Sequence, residues 1–139
     1  MEKYFCNYNQ SLALKMLGFD MPCFRYIYTG DTGNNIDRYE EVEPSRAINY
    51  NHDSLCISQP LKSQVFEWFR KNHLLGHEIN CPFGSYSGKN AFIRNEGRYE
   101  MFITDEDQLS LPEDIFYSTD YFEAESKAID ILINLVKNK

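Results

Sequence analysis

The chain has 139 residues, of which 42% are apolar and 15% aromatic, so it suits one folded domain and is not a collagenous, low-complexity or wholly disordered chain. With 14 Lys and Arg against 21 Asp and Glu, the net charge of −7 repels phosphate backbones and disfavours direct nucleic-acid binding. No apolar run approaches the ~18 residues of a membrane span and the start lacks a secretory pattern, so we expect a cytoplasmic protein without a membrane segment.

Capping residues and apolar spacing predict the elements of the first half. A first helix covers residues 7–18, with an asparagine near its start as cap and Gly18 as its left-handed stop. A hairpin follows, with an aromatic and β-branched strand over 23–29, a turn over 30–35 and a charged return strand over 36–42 at a sheet edge. We expect the buried face of the first helix to carry Leu12, Ala13, Met16 and Leu17.

The middle of the chain is predicted to hold one irregular connection and one helix. Residues 45–57 have a weak pattern, which we interpret as a long connection or an irregular edge. The second helix is predicted from the capping residue Ser58, with Pro60 in its first turn, to about His73. Phe66 falls off its apolar stripe and is either exposed or a second buried contact; the stripe itself comprises Leu61, Val65, Trp68 and Phe69.

Strands and a third helix complete the predicted order. Strands are expected over 74–79, 90–94 and 98–104, with a turn over 95–97 joining the last pair. The acidic stretch 105–119 is predicted as a surface loop with a helical turn around 113–116. Asp120 and Glu123 form a pair like a capping box at the start of the third helix, which buries Ala124, Ala128, Ile131, Leu132 and Leu135, with Ile129, Ile133 and Val136 widening this stripe.

These elements predict an α+β fold formed by a single domain over residues 1–139. Its core is an antiparallel sheet of about four to five strands with three helices packed on one face, in the order α-β-β-α-β-β-β-α. The four cysteines, Cys6, Cys23, Cys56 and Cys81, are irregularly spaced, and we interpret them as reduced, mostly buried thiols.

Acidic residues gather toward the carboxyl end. The segment from Glu96 to Asp130 contains eleven acids and two bases, a charge of −9, while the remainder of the chain is +2. Such acids form either a solvated charge run or paired carboxylates for metal or acid–base work. Aromatic residues interleaved with them favour a third interpretation, in which the segment meets a basic groove on a partner protein. The predicted partner-binding residues are Asp105, Glu106, Asp107, Glu113, Asp114, Phe116 and Tyr117.

Other patterns that suggest chemistry are weaker. His73, His77 and Cys81 have four-residue spacing, but Gly76, Asn80 and Pro82 argue against the continuous helix that a zinc site there needs. Residues 84–90 have three residues between two glycines where a phosphate loop needs four. No local signature selects a nucleophile–base pair, so we predict no catalytic residue, no metal and no cofactor.

Three blocks of the chain carry a resemblance. They are YFCNY with QSLALK and LGFDMPC in residues 4–23, PL with FEWFRK in 60–71, and YFEAE leading into ILI in 121–133. Together they resemble small proteins encoded by phages and prophages of Bacteroides-type bacteria. The resemblance implies a setting, an infected or lysogenic bacterial host, but no activity and no functional residue. Accessory factors are common among small acidic proteins of mobile elements, and inhibitors of host defence, anti-CRISPR proteins among them, are a prominent class.

Two functional hypotheses follow. The first is a non-enzymatic inhibitor that binds a host defence protein with a basic nucleic-acid channel, such as a nucleic-acid-guided nuclease, through an acidic and aromatic surface. The alternative is a small-molecule binder that sequesters a nucleotide signal, with aromatic rings stacking the base and Arg25, Arg94 or Arg98 meeting the phosphates. A deep, arginine-lined, aromatic-walled cavity distinguishes the second from the first.

Overall fold

The protein is described by a computed structural model that covers residues 2–30, 38–80, 98–104 and 116–138. Its contacts group the chain into two compact units, Met1–Trp68 and Phe69–Lys139. Helices and antiparallel strands occur in both units, which confirms the α+β class. That residues 1–139 form a single domain stays a prediction.

Helix α1 comprises Tyr8–Leu17 and has the ends that the sequence predicts. Asn7 is the cap: its side chain accepts a hydrogen bond from the Gln10 amide at 2.9 Å, and the Gln10 side chain accepts one from the Asn7 amide at 3.1 Å. Gly18 ends the helix with a φ of 91°, a left-handed conformation that glycine adopts without a clash at Cβ.

The buried face of α1 differs from the prediction. Leu14 is fully buried, whereas Met16 is 78% exposed and Leu12 is also exposed. The apolar residues between 12 and 17 spread over an arc of about 200° at the helical rotation of 100° per residue, so their spacing does not define one face. Contacts with the rest of the unit select the other side of this arc, where Gln10 and Ser11 are buried beside Leu14.

The first sheet has three antiparallel strands in the order β2-β1-β3, namely β1 (Arg25–Tyr28), β2 (Arg38–Glu41) and β3 (Cys56–Ser58). The charged strand β2 lies at an edge, as predicted. Strand β3 lies at the other end of the order, within the region interpreted as a connection or irregular edge. Its three residues are too few to show an alternating pattern, and its pairing with β1, such as Ile27 with Ile57, is what defines it.

Helix α2 comprises Lys62–His73. It begins four residues beyond the predicted cap, because Ser58 is the last residue of β3. The Gln64 side chain instead accepts a hydrogen bond from the Leu61 amide at 3.0 Å. The predicted stripe residues Val65, Trp68 and Phe69 are buried, whereas Leu61 precedes the helix and is half-buried. Phe66 is buried, which settles the two alternatives for that side chain.

The second unit contains a separate antiparallel sheet in the order β4-β5-β6, formed by β4 (Gly76–Asn80), β5 (Tyr99–Thr104) and β6 (Phe116–Ser118). The described strands therefore form two three-stranded sheets, where the sequence predicted one sheet of four to five strands. The predicted surface loop over 105–119 is wrong at Phe116–Ser118, which form strand β6. The sequence does not reveal this strand because its pairing with β5 is nonlocal. The predicted strand over 90–94 and turn over 95–97 lie outside the described residues.

Helix α3 comprises Tyr121–Lys137 and contacts all three strands of the second sheet. Asp120 is its cap, with a side-chain oxygen that accepts a hydrogen bond from the Phe122 amide at 2.9 Å. Ile131, Leu135 and Val136, predicted to be buried, are half-buried. The buried positions all belong to the predicted stripe and are Ala124, Ala128, Ile129, Leu132 and Ile133. No helix in the described part of the chain is both long and apolar enough to cross a membrane.

Candidate functional site

The predicted partner-binding residues divide into two groups. Asp105, Glu106, Asp107, Glu113 and Asp114 lie outside the described residues. Phe116 and Tyr117 are the first two residues of β6, where Phe116 is half-buried and Tyr117 is 44% exposed. Of the predicted site, the structure therefore places only the aromatic pair.

Tyr117 belongs to the outer face of the second sheet. Met101 and Ile103 on β5 are fully buried and α3 contacts β5, so this side of the strand faces the helix. Residues alternate between faces along a strand, which puts Glu100 on the opposite side. Glu100 pairs directly with Tyr117 on β6 and with Asn80 on β4. Glu78 lies two residues before Asn80, so it is on the same face, and it is exposed. We call Glu78, Glu100 and Tyr117 the acidic outer face.

One cation contacts this face. The Arg98 guanidinium lies 5.0 Å from the centroid of the Tyr117 ring, a cation–π distance. Arg98 is one of the three arginines expected to meet phosphates. Arg94 lies outside the described residues, and Arg25 forms an ion pair with Glu2 at 2.8 Å while its guanidinium stands 4.3 Å from the centroid of Phe5. Arg25 is thus held by its own unit, and the nucleotide-binding alternative stays a prediction.

The four-residue spacing of His73, His77 and Cys81 does not place them on one helix. His73 is the last residue of α2 and His77 lies in β4, while Cys81 is outside the described residues. Among the residues that the structure describes, no group of three His, Cys, Asp or Glu side chains is placed to hold a metal ion. The glycine loop over 84–90 also lies outside the described residues.

A groove of about 630 Å³ lies on the first unit. One wall is strand β1, whose alternation brings Tyr26 and Tyr28 to the same face. The other lining residues come mainly from the segment between Ile48 and Asp53, which contributes Tyr50. The Tyr26 and Tyr50 rings stack with centroids 4.1 Å apart and planes inclined by 18°. We call this the tyrosine groove.

The second wall of the groove is fastened by a hydrogen-bonded turn. The Asn51 side chain donates to the Phe19 carbonyl at 2.9 Å and accepts from the Ser58 amide at 2.8 Å. The Tyr50 amide donates to the Ser58 hydroxyl at 3.0 Å. These contacts tie the turn both to the end of α1 and to β3, so Tyr50 is held at a fixed distance from the sheet.

Lys15 adds a further tie from helix α1. Its ammonium group donates to the Asp53 carbonyl at 2.8 Å and to the Cys56 carbonyl at 2.5 Å. A charged donor shared by two carbonyls is stronger than a neutral hydrogen bond. The Lys15 ammonium group therefore stabilises the backbone carbonyls of two residues that line the groove.

The thiols near the groove are poor nucleophiles. Burial raises the pKa of the Cys56 thiol, and the nearby Asp53 carboxylate raises it further. Burial likewise raises the pKa of Cys23 to about 12, against a smaller opposite effect of a hydrogen bond with Ser58. Because the thiolate is the reactive form, the raised pKa values disfavour nucleophilic chemistry at both cysteines.

Only part of this groove is predictable from the sequence. Alternation along the predicted strand over 23–29 puts Phe24, Tyr26 and Tyr28 on one face. Tyr50 and Asp53 were missed because they belong to a segment with no periodic pattern. The cluster of Asn49, Asn51 and Asp53 was a usable signal, since such side chains bind nearby backbone and fix turns.

Comparison with known proteins adds no further assignment: no family model, no curated protein and no solved structure matches the chain.

Proposed function

We propose that this protein is a non-catalytic inhibitor that binds a host defence protein with a basic nucleic-acid channel, such as a nucleic-acid-guided nuclease. The setting, a phage or related element in a bacterial host, comes from the resemblance of the three sequence blocks. The contact surface is the acidic outer face together with the acidic segment over 105–114. The chain is a carboxylate-rich competitor for the channel that otherwise holds a phosphate backbone.

The observation that carries the proposal is the pairing of a carboxylate with an exposed aromatic ring on one sheet face. Tyr117 and Glu100 are directly opposite each other on adjacent strands, and Glu78 adds an exposed carboxylate on the same face. The acidic segment connects the end of β5 to the start of β6, so both of its ends join this sheet. Tyrosine is enriched among residues that dominate binding energy, while surrounding charges steer association.

The mechanism assigns different roles to the charges and the ring. Carboxylates raise the encounter rate with a basic channel, an effect that weakens as salt screens it over about 10 Å at 0.1 M. Tyr117 slows dissociation by burying its ring in the partner. We therefore expect salt to act mainly on association and the tyrosine mainly on dissociation.

An inhibition assay tests this proposal. The purified protein is titrated into cleavage reactions of guided nucleases from Bacteroides-type bacteria, and binding to the same nucleases is measured at low and high salt. We expect inhibition that a triple variant, Glu78→Gln with Glu100→Gln and Tyr117→Ala, weakens by tenfold or more, a change of about 1.4 kcal/mol or more. A matched variant on the first unit, Glu41→Gln with Glu43→Gln, removes two exposed carboxylates and should inhibit like the wild type.

Two results would contradict the proposal. If no nuclease is bound or inhibited by the wild-type protein, the function is wrong. If inhibition occurs but the triple variant and the matched control behave alike, the acidic outer face is not the contact surface.

A further inference from the structure

We propose that the tyrosine groove binds the guanidinium group of an arginine side chain presented by a protein partner. This site lies on the first unit and does not rest on the acidic outer face or on the inhibitor function. Three observations carry it: the aromatic walls, the charge of the lining and a guanidinium that the chain already places on one of these rings.

The aromatic walls fit a flat cation. Tyr26, Tyr28 and Tyr50 line the groove, and Tyr26 and Tyr50 present a stacked pair held by the turn around Asn51. The face of an aromatic ring is electron-rich and attracts a cation within about 6 Å of its centroid. Guanidinium is planar and weakly hydrated, so it stacks on such rings more readily than an ammonium does.

The lining carries one carboxylate and neither lysine nor arginine among the described residues. Asp53 supplies the carboxylate. One of its oxygens accepts a hydrogen bond from the Leu55 amide at 2.8 Å, which orients the group. Lys15 donates to the Asp53 and Cys56 carbonyls, so its ammonium group is already partnered by the backbone. The Asp53 carboxylate disfavours a nucleotide phosphate and favours a cation.

An arginine of the chain itself already occupies the rim. The Arg38 guanidinium lies 5.0 Å from the centroid of the Tyr28 ring. Its distance of 3.9 Å from the Glu40 carboxylate is long, and both side chains are about half exposed, so the ring contact is not imposed by a strong ion pair. This contact shows that the tyrosine wall accepts a guanidinium group. The remaining rings, Tyr26 and Tyr50, provide the place for a second one.

The remaining polar groups complete the recognition. Asn49 and His52 line the same groove, and the Asn49 side-chain nitrogen is 3.2 Å from the Nε2 atom of His52. The Asn49 side-chain oxygen accepts a hydrogen bond from the Asn51 amide at 2.9 Å and keeps a second lone pair, which offers an acceptor to the N–H donors of a guanidinium group. The groove therefore combines ring faces, one carboxylate and neutral acceptors, which together match arginine better than lysine.

Peptide titrations followed by ¹H–¹⁵N NMR test the inference. The probes are four capped glycine peptides that differ only in the central residue: arginine, citrulline, lysine or glycine. Citrulline keeps the shape of arginine and removes its charge. We expect the arginine peptide to shift the amide resonances of Asn49, Tyr50 and Asp53, with an affinity about fivefold or more above that of the citrulline peptide.

Matched variants locate the binding. Asp53→Asn keeps an oxygen for the Leu55 amide and removes the charge, and it should weaken arginine binding by about threefold or more. Glu43→Gln removes an exposed carboxylate that does not line the groove and should leave binding unchanged. Arg38→Gln should leave it unchanged or strengthen it, because a competing guanidinium is removed from the rim.

The inference is overturned if arginine and citrulline peptides bind equally, or if Asp53→Asn and Glu43→Gln have the same effect. It is also overturned if adenosine monophosphate, added as a parallel probe, shifts the groove resonances while the arginine peptide does not. The comparison between peptides uses the unmodified protein, so an unstable variant does not prevent a decision.

Discussion

Lowering the pH should destabilise the second unit through His77. This residue lies in β4, paired with the fully buried Ile103 of β5. Burial, together with a smaller effect of the positive charge of Arg70, lowers the pKa of the His77 imidazole from 6.5 to about 4. The folded protein therefore holds this histidine neutral at physiological pH.

The sign of the effect follows from which state binds the proton more tightly. In the unfolded chain the imidazole has its ordinary pKa and takes up a proton as the pH falls below 6.5, whereas the folded protein resists protonation until about pH 4. The contribution is therefore fully present above the unfolded pKa and is lost as the pH falls between these values. The difference between the folded and unfolded pKa values corresponds to about 3 kcal/mol in the free energy of unfolding, of which about 2 kcal/mol is lost between about pH 7 and about pH 5.

Urea unfolding at a series of pH values, followed by circular dichroism and by amide hydrogen exchange in β4 and β5, measures this loss. Carboxylates also titrate in the lower part of the range, so the informative quantity is the difference between the wild type and His77→Gln, which has no titrating group at this position. We expect the free energy of unfolding of the wild type to fall by about 2 kcal/mol more than that of the variant. Parallel curves for the two proteins would refute the burial argument.

Three other variants test the packing and the hydrogen bonds of the first unit. Leu14→Ala should lower the free energy of unfolding by about 2–5 kcal/mol because Leu14 is fully buried, whereas Met16→Ala should change it by about 0.5 kcal/mol or less. Equal effects of the two variants in denaturant titrations would mean that the buried face of α1 is misassigned. Lys15→Met should cost about 2 kcal/mol and increase amide exchange around the Asp53 and Cys56 carbonyls, and exchange unchanged from the wild type would show that Lys15 does not hold this segment.

Local signals in the sequence predict three of the helix ends. The capping side chain of Asn7 and the left-handed conformation of Gly18 define the two ends of α1, and the capping side chain of Asp120 defines the start of α3. Ser58 failed as a cap because the same residue type also suits a strand, and its pairing with Tyr26 is a nonlocal interaction. Capping is thus predictable where no distant partner competes for the residue.

Nonlocal contacts explain the other differences. Strands β3 and β6 have three residues each, too few for alternation to be visible, and they exist because Ile57 and Phe116 pair with strands far away in sequence. The tyrosine groove has the same origin, since Tyr26 and Tyr50 stack only after the chain between them has folded back. The acidic character near the carboxyl end was predictable from composition, but the surface that it forms with Tyr117 depends on register.

The turn beside the tyrosine groove is held without the side chain of Ile48. Its hydrogen bonds come from the Asn51 side chain and from backbone atoms, including the bridge between Cys23 and Ile48, and the His52 side chain contacts Asn49 within the same turn. Because the Ile48 side chain is 55% exposed and lines the groove, substitutions there can change the groove surface while the scaffold beneath it persists.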